Sequence, residues 1–394
     1  MSRSNLHIYQ SPLTHESRIL KITKSIADAG VFDRIVVAGV WQEGLPYDEA
    51  LDKIRSIRRI RTRIRGQSSL IFWKIVRTVE WMIRAYREAI QMRPDCVNCH
   101  SLVVLPLGVA IKRRLGCRLI YDTHELETET SVTTGFRRRI AKWLERTLIS
   151  TADHVVVVGD EIGNWYRKAY PETKVRVVRN VPMSQQGPVY RGTAIRKRFG
   201  IRAEEMVFLY QGLIDDGRGI DLLCRVFSRL SPNKHVVFMG YGSLVSQVEE
   251  AAARHGNIHY HPAVAPGQVS LYTGEADVGL SLIENVSLSY YYSVPNKLFE
   301  YINCGVPVIV SDFPEMSRIV DEHQVGWKTD LSEESVQHLI DGITREGLAE
   351  RTPIVMACRG RFVWENEVPN LLEIYGELFP EYATGLRSGV RDAA

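Results

Sequence analysis

Residues 294–312 read VPNKLFEYINCGVPVIVSD. After Pro295 a helix opens at Asn296 and Lys297 and carries Glu300, and the β-branched run Val306–Val310 then forms a strand. Just upstream, residues 277–282 (DVGLSL) hold another strand, so the segment is strand, helix, strand, the unit from which parallel sheets are wound. The alternation continues in both directions. In the second half strands are predicted at Met206–Gln211, His235–Met239, Ile258–Tyr260, Val278–Leu282 and Val306–Val310. In the first half they are predicted at Leu6–Tyr9, Arg34–Ala38, Asp95–Cys99, Arg118–Tyr121, His154–Val158 and Val175–Val178, with helical patterns between them. The fold class is therefore α/β, with two Rossmann-like doubly wound parallel-sheet domains. Pro, Gly, Ser and Gln cluster without periodicity in residues 180–192, which places the domains at 1–185 and 186–363, followed by a terminal helical segment at 364–394.

The 394 residues suffice for two cores, and 45% apolar with 24% charged side chains is the composition of a soluble globular chain rather than a fibrous or disordered one. No apolar run reaches the length of a membrane span, and MSRSNLHIYQ lacks the apolar core of a signal peptide, so a cytoplasmic protein is expected. Six scattered cysteines form no disulfide framework. Residues 96–100 (CVNCH) fit the haem-attachment pattern, but that chemistry normally requires export, and a buried strand with small packed cysteines is the better reading.

Charge divides the chain. Residues 1–180 hold 31 Lys and Arg against 19 Asp and Glu, a net +12, whereas residues 181–394 carry a net −8. Seven cations fall within Lys53–Arg65 (KIRSIRRIRTRIR), with Ile54, Ile57, Ile60 and Ile64 on a face of their own, and more follow at 112–114 and 137–139. In the helix at 71–90, Phe72, Ile75, Val79, Met82, Tyr86 and Ile90 form a stripe expected to pack in the core, while Trp73 and Trp81 lie off it. Together the basic run and the tryptophans point to an anionic membrane surface as a partner, met at the inner face of the membrane. Nucleic acid is not expected, because the chain has no recognition motif and phosphates would repel the acidic half.

The stretch 294–312 resembles the donor-binding segment of glycosyltransferase family 4, retaining enzymes of the GT-B fold, in which two Rossmann-like domains face each other across a cleft. The resemblance spans most of the chain: residues 209–220 (LYQGLIDDGRGI), Gly240-Tyr241-Gly242 and residues 121–126 (YDTHEL) match further family segments in order. It implies transfer of a sugar from a nucleotide diphosphate sugar, most simply a UDP-sugar, to a saccharide or lipid-linked acceptor held by the first domain. The terminal helix would cross back to that domain. In the implied site Glu300 binds the ribose hydroxyls, Asn296 and Lys297 meet the diphosphate at a helix N-terminus, Arg218 pairs the leaving group, Gly212 and Gly240 supply turns, and Val264 stands where backbone groups hold the base. The family's first glutamate is replaced by Tyr292, and Glu284 is its expected counterpart, touching the donor sugar. His124, at a strand end, is the expected catalytic residue of the first domain, with Asp122 and Glu125 as alternatives. His15 and Glu16 follow the segment that replaces the family's Gly-rich loop and receive no role.

No cofactor or metal is expected, since cations replace the metal and no Asp-x-Asp stands at a strand end; Asp215 and Asp216 are adjacent. A sugar-nucleotide epimerase of the same fold is the alternative activity.

Overall fold

The computed structural model describes residues 3–14, 16–64, 71–184 and 187–381. His15, Arg65, the expected boundary at 185–186 and residues 382–394 lie outside the described residues. The chain divides into two units, Met1–Arg179 with Glu367–Ala394, and Asn180–Asn366. Trp364 stays with the second unit because its buried indole and a 2.8 Å hydrogen bond from its N–H to the Pro182 carbonyl hold the first turn of helix Trp364–Leu378 there. Later residues of that helix belong to the first unit, where the Tyr375 hydroxyl accepts a 2.9 Å hydrogen bond from Asn98 and Phe32 meets the Tyr375 ring edge-on.

The first unit holds strands β1 (Ser4–Ile8), β2 (Arg34–Val40), β3 (Asp48–Ala50), β4 (Arg55–Ile60), β5 (Cys96–Cys99), β6 (Arg118–Asp122), β7 (His154–Val157) and β8 (Val175–Val177). They lie in the order β3-β4-β2-β1-β5-β6-β7-β8, and only β3 runs antiparallel to its neighbour. The winding direction reverses between β1 and β5, and in such sheets ligands sit at the carboxyl ends of the strands beside the reversal.

Two expectations are overturned in this unit. The basic run does not form a free amphipathic face: its centre is β4, whose Ile57 and Ile60 are buried in the sheet. Arg59 can be buried there because its guanidinium donates to the carbonyls of Pro12 at 2.7 Å and Pro46 at 3.1 Å and pairs with Glu49 at 2.8 Å. Helix Ile71–Met92 is rotated from the expected orientation. Trp81, Ala85 and Ala89 face the core, while Phe72, Ile75 and Val79 are exposed. The small alanines let the helix approach the sheet, and the Trp81 indole N–H finds the Gly39 carbonyl at 3.0 Å, so Trp81 is a core residue and not a membrane contact.

The second unit holds β9 (Met206–Leu213), β10 (Lys234–Tyr241), β11 (Ile258–Pro262), β12 (Val278–Ser281), β13 (Val308–Ser311) and β14 (Gly326–Thr329), all parallel, in the order β11-β10-β9-β12-β13-β14. Phe208, Val236, Phe238, Leu280 and Ile309 fill its core without solvent contact. The reversal here falls between β9 and β12. At the carboxyl ends of β9 and β10, Gly212 and Gly240 are register partners, and a Cβ on Gly240 would lie 1.8 Å from the Gly212 carbonyl oxygen. No other residue fits that approach.

Candidate active site

Beside the β9–β12 reversal the loop after β9 turns through Gly217 and Gly219, both left-handed, with Arg218 between them. Its guanidinium lies 4.9 Å from the Tyr290 ring centroid, and its Nε is buried without a hydrogen-bond partner among the described residues. Helix Asn296–Asn303 starts after Pro295 and places Asn296 in solvent and Lys297 inside, 8% exposed. The Lys297 Nζ sits 3.5 Å from the Tyr210 ring centroid and has no hydrogen-bond partner among the described residues. Burial, with the charge of Arg218 adding to it and Glu300 opposing, holds its pKa well below the ordinary lysine value. An anion received here would relieve both cations, and the free N–H groups of the helix's first turn favour the same charge.

Gly212, Arg218, Lys297 and Glu300 are thus brought together: a Cβ on Gly212 would be 4.0 Å from the Lys297 Nζ, and Glu300 lies one helical turn beyond Lys297. Gly240 adjoins Gly212. Val264 is not brought to this cluster by any contact among the described residues; it is half-buried in the loop after β11, the edge strand. Two residues that the sequence did not single out complete the site. Gln211 donates from Nε2 to Glu300 and accepts at Oε1 from the Thr273 hydroxyl at 2.7 Å, so the carboxylate is held by a side-chain chain reaching 62 residues along the sequence. No local pattern signals such a link.

Glu284 has an internal partner. Its Oε1 accepts the Gly219 N–H at 3.0 Å, and its own N–H donates to the Gly217 carbonyl at 3.0 Å, so the residue clamps the loop on both sides of Arg218. Replacing Glu284 with Ala is expected to loosen that loop at a stability cost of about 1 kcal/mol for the lost hydrogen bond. Thermal melts beside the wild type check this, and unchanged stability would show that Glu284 does not hold the Arg218 loop.

In the first unit a second cluster forms where β1, β5 and β6 end. Asp122, almost fully buried, receives Arg18 at 2.7 Å on Oδ1 and His100 Nδ1 at 2.8 Å on Oδ2. Burial works against this carboxylate, but the charge of Arg18 with the hydrogen bond from His100 and the nearby His124 ring outweighs it, and the pKa lies well below the usual carboxylate range. With Asp122 ionised and able only to accept, the proton order follows inward: His100 donates from Nδ1, His7 donates from Nδ1 to His100 Nε2 at 2.8 Å, and Asn5 Nδ2 donates to His7 Nε2 at 3.2 Å. Burial lowers the pKa of both histidines, in keeping with neutral rings.

His124 stands at the solvent side of this network, its ring 29% exposed and its Nε2 3.4 Å from Asp122 Oδ2. Tyr9 flanks it at 5.7 Å between ring centroids. Asp122 therefore backs His124, and Glu125 is an exposed residue whose charge reaches Tyr9, the neighbour of His124. Ligand atoms of His100, Asp122 and His124 lie within 4.8 Å of one another, but the Arg18 guanidinium on the same carboxylate opposes a second cation, and no metal is assigned to them. Arg18, His7 and His100 were missed by sequence reasoning; His100 is the last residue of CVNCH, and only its place just past a strand end marks it.

Sequence comparison with family models matches residues 16–181 to glycosyltransferase family 4 and residues 205–345 to glycosyl transferases group 1. No curated protein matches the chain in sequence. Among solved structures, sucrose-phosphate synthase from Thermosynechococcus elongatus superposes with a TM-score of 0.79 at 15% identity, covering 96% of this chain and 100% of that one. HepE from Anabaena, solved with UDP-glucose, gives 0.68 at 14% identity over 97% and 99% of the two chains. WaaG, a glycosyltransferase of lipopolysaccharide biosynthesis, gives 0.62 at 15% identity over 96% and 98%. At these identities the likeness is one of fold.

Proposed function

Because the chain is a glycosyltransferase of the GT-B fold, its first unit belonging to glycosyltransferase family 4 and its second to glycosyl transferases group 1, we propose that it moves a hexosyl or N-acetylhexosaminyl group from a UDP-sugar to an acceptor hydroxyl with retention of configuration. The observation that carries this reading is the buried Lys297 amine, unpartnered beside Arg218 and one turn from the anchored Glu300. Lys297 and Arg218 take the diphosphate, Glu300 the ribose hydroxyls, and Gly212 and Gly240 leave room for the chain of phosphates. The bond from the sugar's anomeric carbon to the β-phosphate oxygen breaks, the acceptor oxygen bonds to that carbon on the same face, and the acceptor proton passes to the departing phosphate oxygen. Binding raises Lys297 toward its charged form, so the two cations do the work a metal would do, and no other cofactor is required. Glu284 touches the sugar and holds the Arg218 loop, while His124, held by Asp122, orients the acceptor in the first unit. HepE was solved with UDP-glucose, which supports uridine as the base.

With UDP-sugar and a saccharide acceptor the chain is expected to release UDP only when the acceptor is supplied. A changed sugar with no acceptor present would favour the epimerase instead.

The acceptor in this reading is lipid-linked, and the enzyme rests peripherally on the cytoplasmic face of a membrane; no described helix is long and apolar enough to cross one. Support comes from two helices of the first unit. Phe72, Ile75, Val79 and Ile83 are exposed on one face of helix Ile71–Met92, and Phe136, Ile140 and Trp143 are exposed on helix Gly135–Leu148 among Arg137, Arg138, Arg139 and Lys142. Apolar faces edged by cations fit an anionic bilayer. Flotation is expected with phosphatidylglycerol vesicles and to be lost in Phe136→Ser/Trp143→Ser; equal partitioning onto neutral vesicles would remove the membrane from the account.

A further inference from the structure

The basic run Lys53–Arg65 leads into a cluster of arginines beyond β4. Between β4 and helix Ile71–Met92 lies an open, shallow concavity of about 490 Å³ whose lining includes Arg58, Arg59, Arg61, Arg63, Arg84 and Arg87. Most proteins separate like charges, so what matters is how many of these six are neutralised. Arg58 is bonded by Asp48 at 2.7 Å and reached by Glu88 at 3.5 Å, Arg59 pairs with Glu49, and Arg84 pairs with Glu80 at 2.9 Å. Six guanidiniums therefore face four carboxylates, and Arg61, Arg63 and Arg87 have no carboxylate partner among the described residues. The excess of two positive charges matches a phosphate monoester, which carries about −1.5 to −2 at pH 7.

The site is also built to hold its cations in place. Arg61 lies over the Trp41 ring at 4.7 Å and donates to the Tyr47 hydroxyl at 2.8 Å, and Trp41 and Tyr47 stack on each other at 5.3 Å. Arg63 is fixed through its backbone, since Glu80 accepts its N–H at 2.7 Å and that of Ile64 at 3.0 Å. The Arg61 guanidinium, held this way, loses little freedom on meeting an anion, the exposed Arg63 and Arg87 side chains stand ready beside it, and the planar fork of each suits phosphate oxygens.

We propose that this pocket binds a phosphoryl group, and that in the transferase it holds a phosphate carried by the acceptor. The second clause rests on the proposed function; the first does not. β4 runs parallel to β2 and β1, so Arg61 and Arg63 emerge at the same sheet edge as Tyr9, His100 and His124. Four strand spacings separate β4 from β6, or about 19 Å at about 4.8 Å each. An acceptor that reaches from this pocket to His124 is therefore longer than a single sugar ring and bears its phosphate at the end away from the reacting hydroxyl.

The test uses the full chain with UDP saturating the second unit and inorganic pyrophosphate as the probe in calorimetric titration. Arg63→Ala/Arg87→Ala is expected to weaken pyrophosphate binding at least tenfold, with the thermal shift produced by UDP unchanged and Arg63→Lys/Arg87→Lys partly restoring affinity. If UDP gives no shift in the wild type, the donor reading fails on its own, and the comparison of variants still reports on the pocket. Flotation with phosphatidylglycerol vesicles separates the sources of phosphate: retained flotation in the double variant assigns a soluble or acceptor-borne group, and lost flotation assigns a lipid headgroup. Equal pyrophosphate affinity in wild type and double variant overturns the proposal.

Discussion

Lys297→Met is expected to abolish the UDP-induced thermal shift and lower turnover by roughly 10²–10³-fold, while making the unliganded protein more stable, not less. Both halves follow from one observation. The amine is buried, unpartnered and pressed toward neutrality by burial and by Arg218, so in the free protein it costs free energy that a methionine of similar length does not. A lysine kept there for packing would show the opposite pattern, since a structural residue loses stability when it is replaced. Arg218→Ala is expected to lower turnover by a similar factor, with less gain in stability because its guanidinium already rests on Tyr290. Melting curves with and without UDP, beside turnover, check both variants. A Lys297→Met protein that keeps its UDP shift would remove the amine from the diphosphate site.

In the first unit the largest effect is expected at Asp122. Removing its carboxylate leaves the Arg18 guanidinium buried at 4% exposure with, among the described residues, only the Val178 carbonyl at 2.8 Å, and takes away the acceptor that orders His100 and His7. Asp122→Ala is expected to destabilise the chain by roughly 3–5 kcal/mol, the cost of stranding one partner of a buried ion pair. Asp122→Asn keeps the shape but offers His100 and His124 a neutral amide, so it is expected to fold and to lose turnover. His124→Ala, at a partly exposed ring, is expected to lose turnover with little change in stability. Denaturant melts of the three variants beside turnover separate the roles: similar stability in Asp122→Ala and wild type would deny the network its part in the fold.

How much of this was legible in the sequence depended on the range of the interactions involved. Val306–Val310 and Met206–Gln211 announce themselves as strands because a fully buried parallel strand must be apolar along its whole length. β4 was hidden because isoleucines at 54, 57, 60 and 64 mimic helical spacing, and because an arginine such as Arg59 reads as solvent-facing unless one knows that two loop carbonyls await it. Helix Ile71–Met92 carries its more apolar stripe outside; two alanines and one tryptophan fit the space above the sheet better than a row of large side chains. Lys297, Arg218 and Glu300 could be named because residues 209–220 and 294–312 resemble short, contiguous family segments, and that resemblance implied their roles. Gln211, Thr273, Arg18 and His7 could not, since each earns its place through a partner far along the chain.

The central claim is that the second unit grips a nucleoside diphosphate sugar between Arg218, Lys297 and Glu300. A crystal structure of the chain with UDP-glucose tests it most directly. The account predicts diphosphate oxygens within hydrogen-bond distance of the Lys297 Nζ and the Arg218 guanidinium, with the ribose hydroxyls on Glu300. A nucleotide bound elsewhere in the chain, leaving Lys297 without a partner, would contradict it.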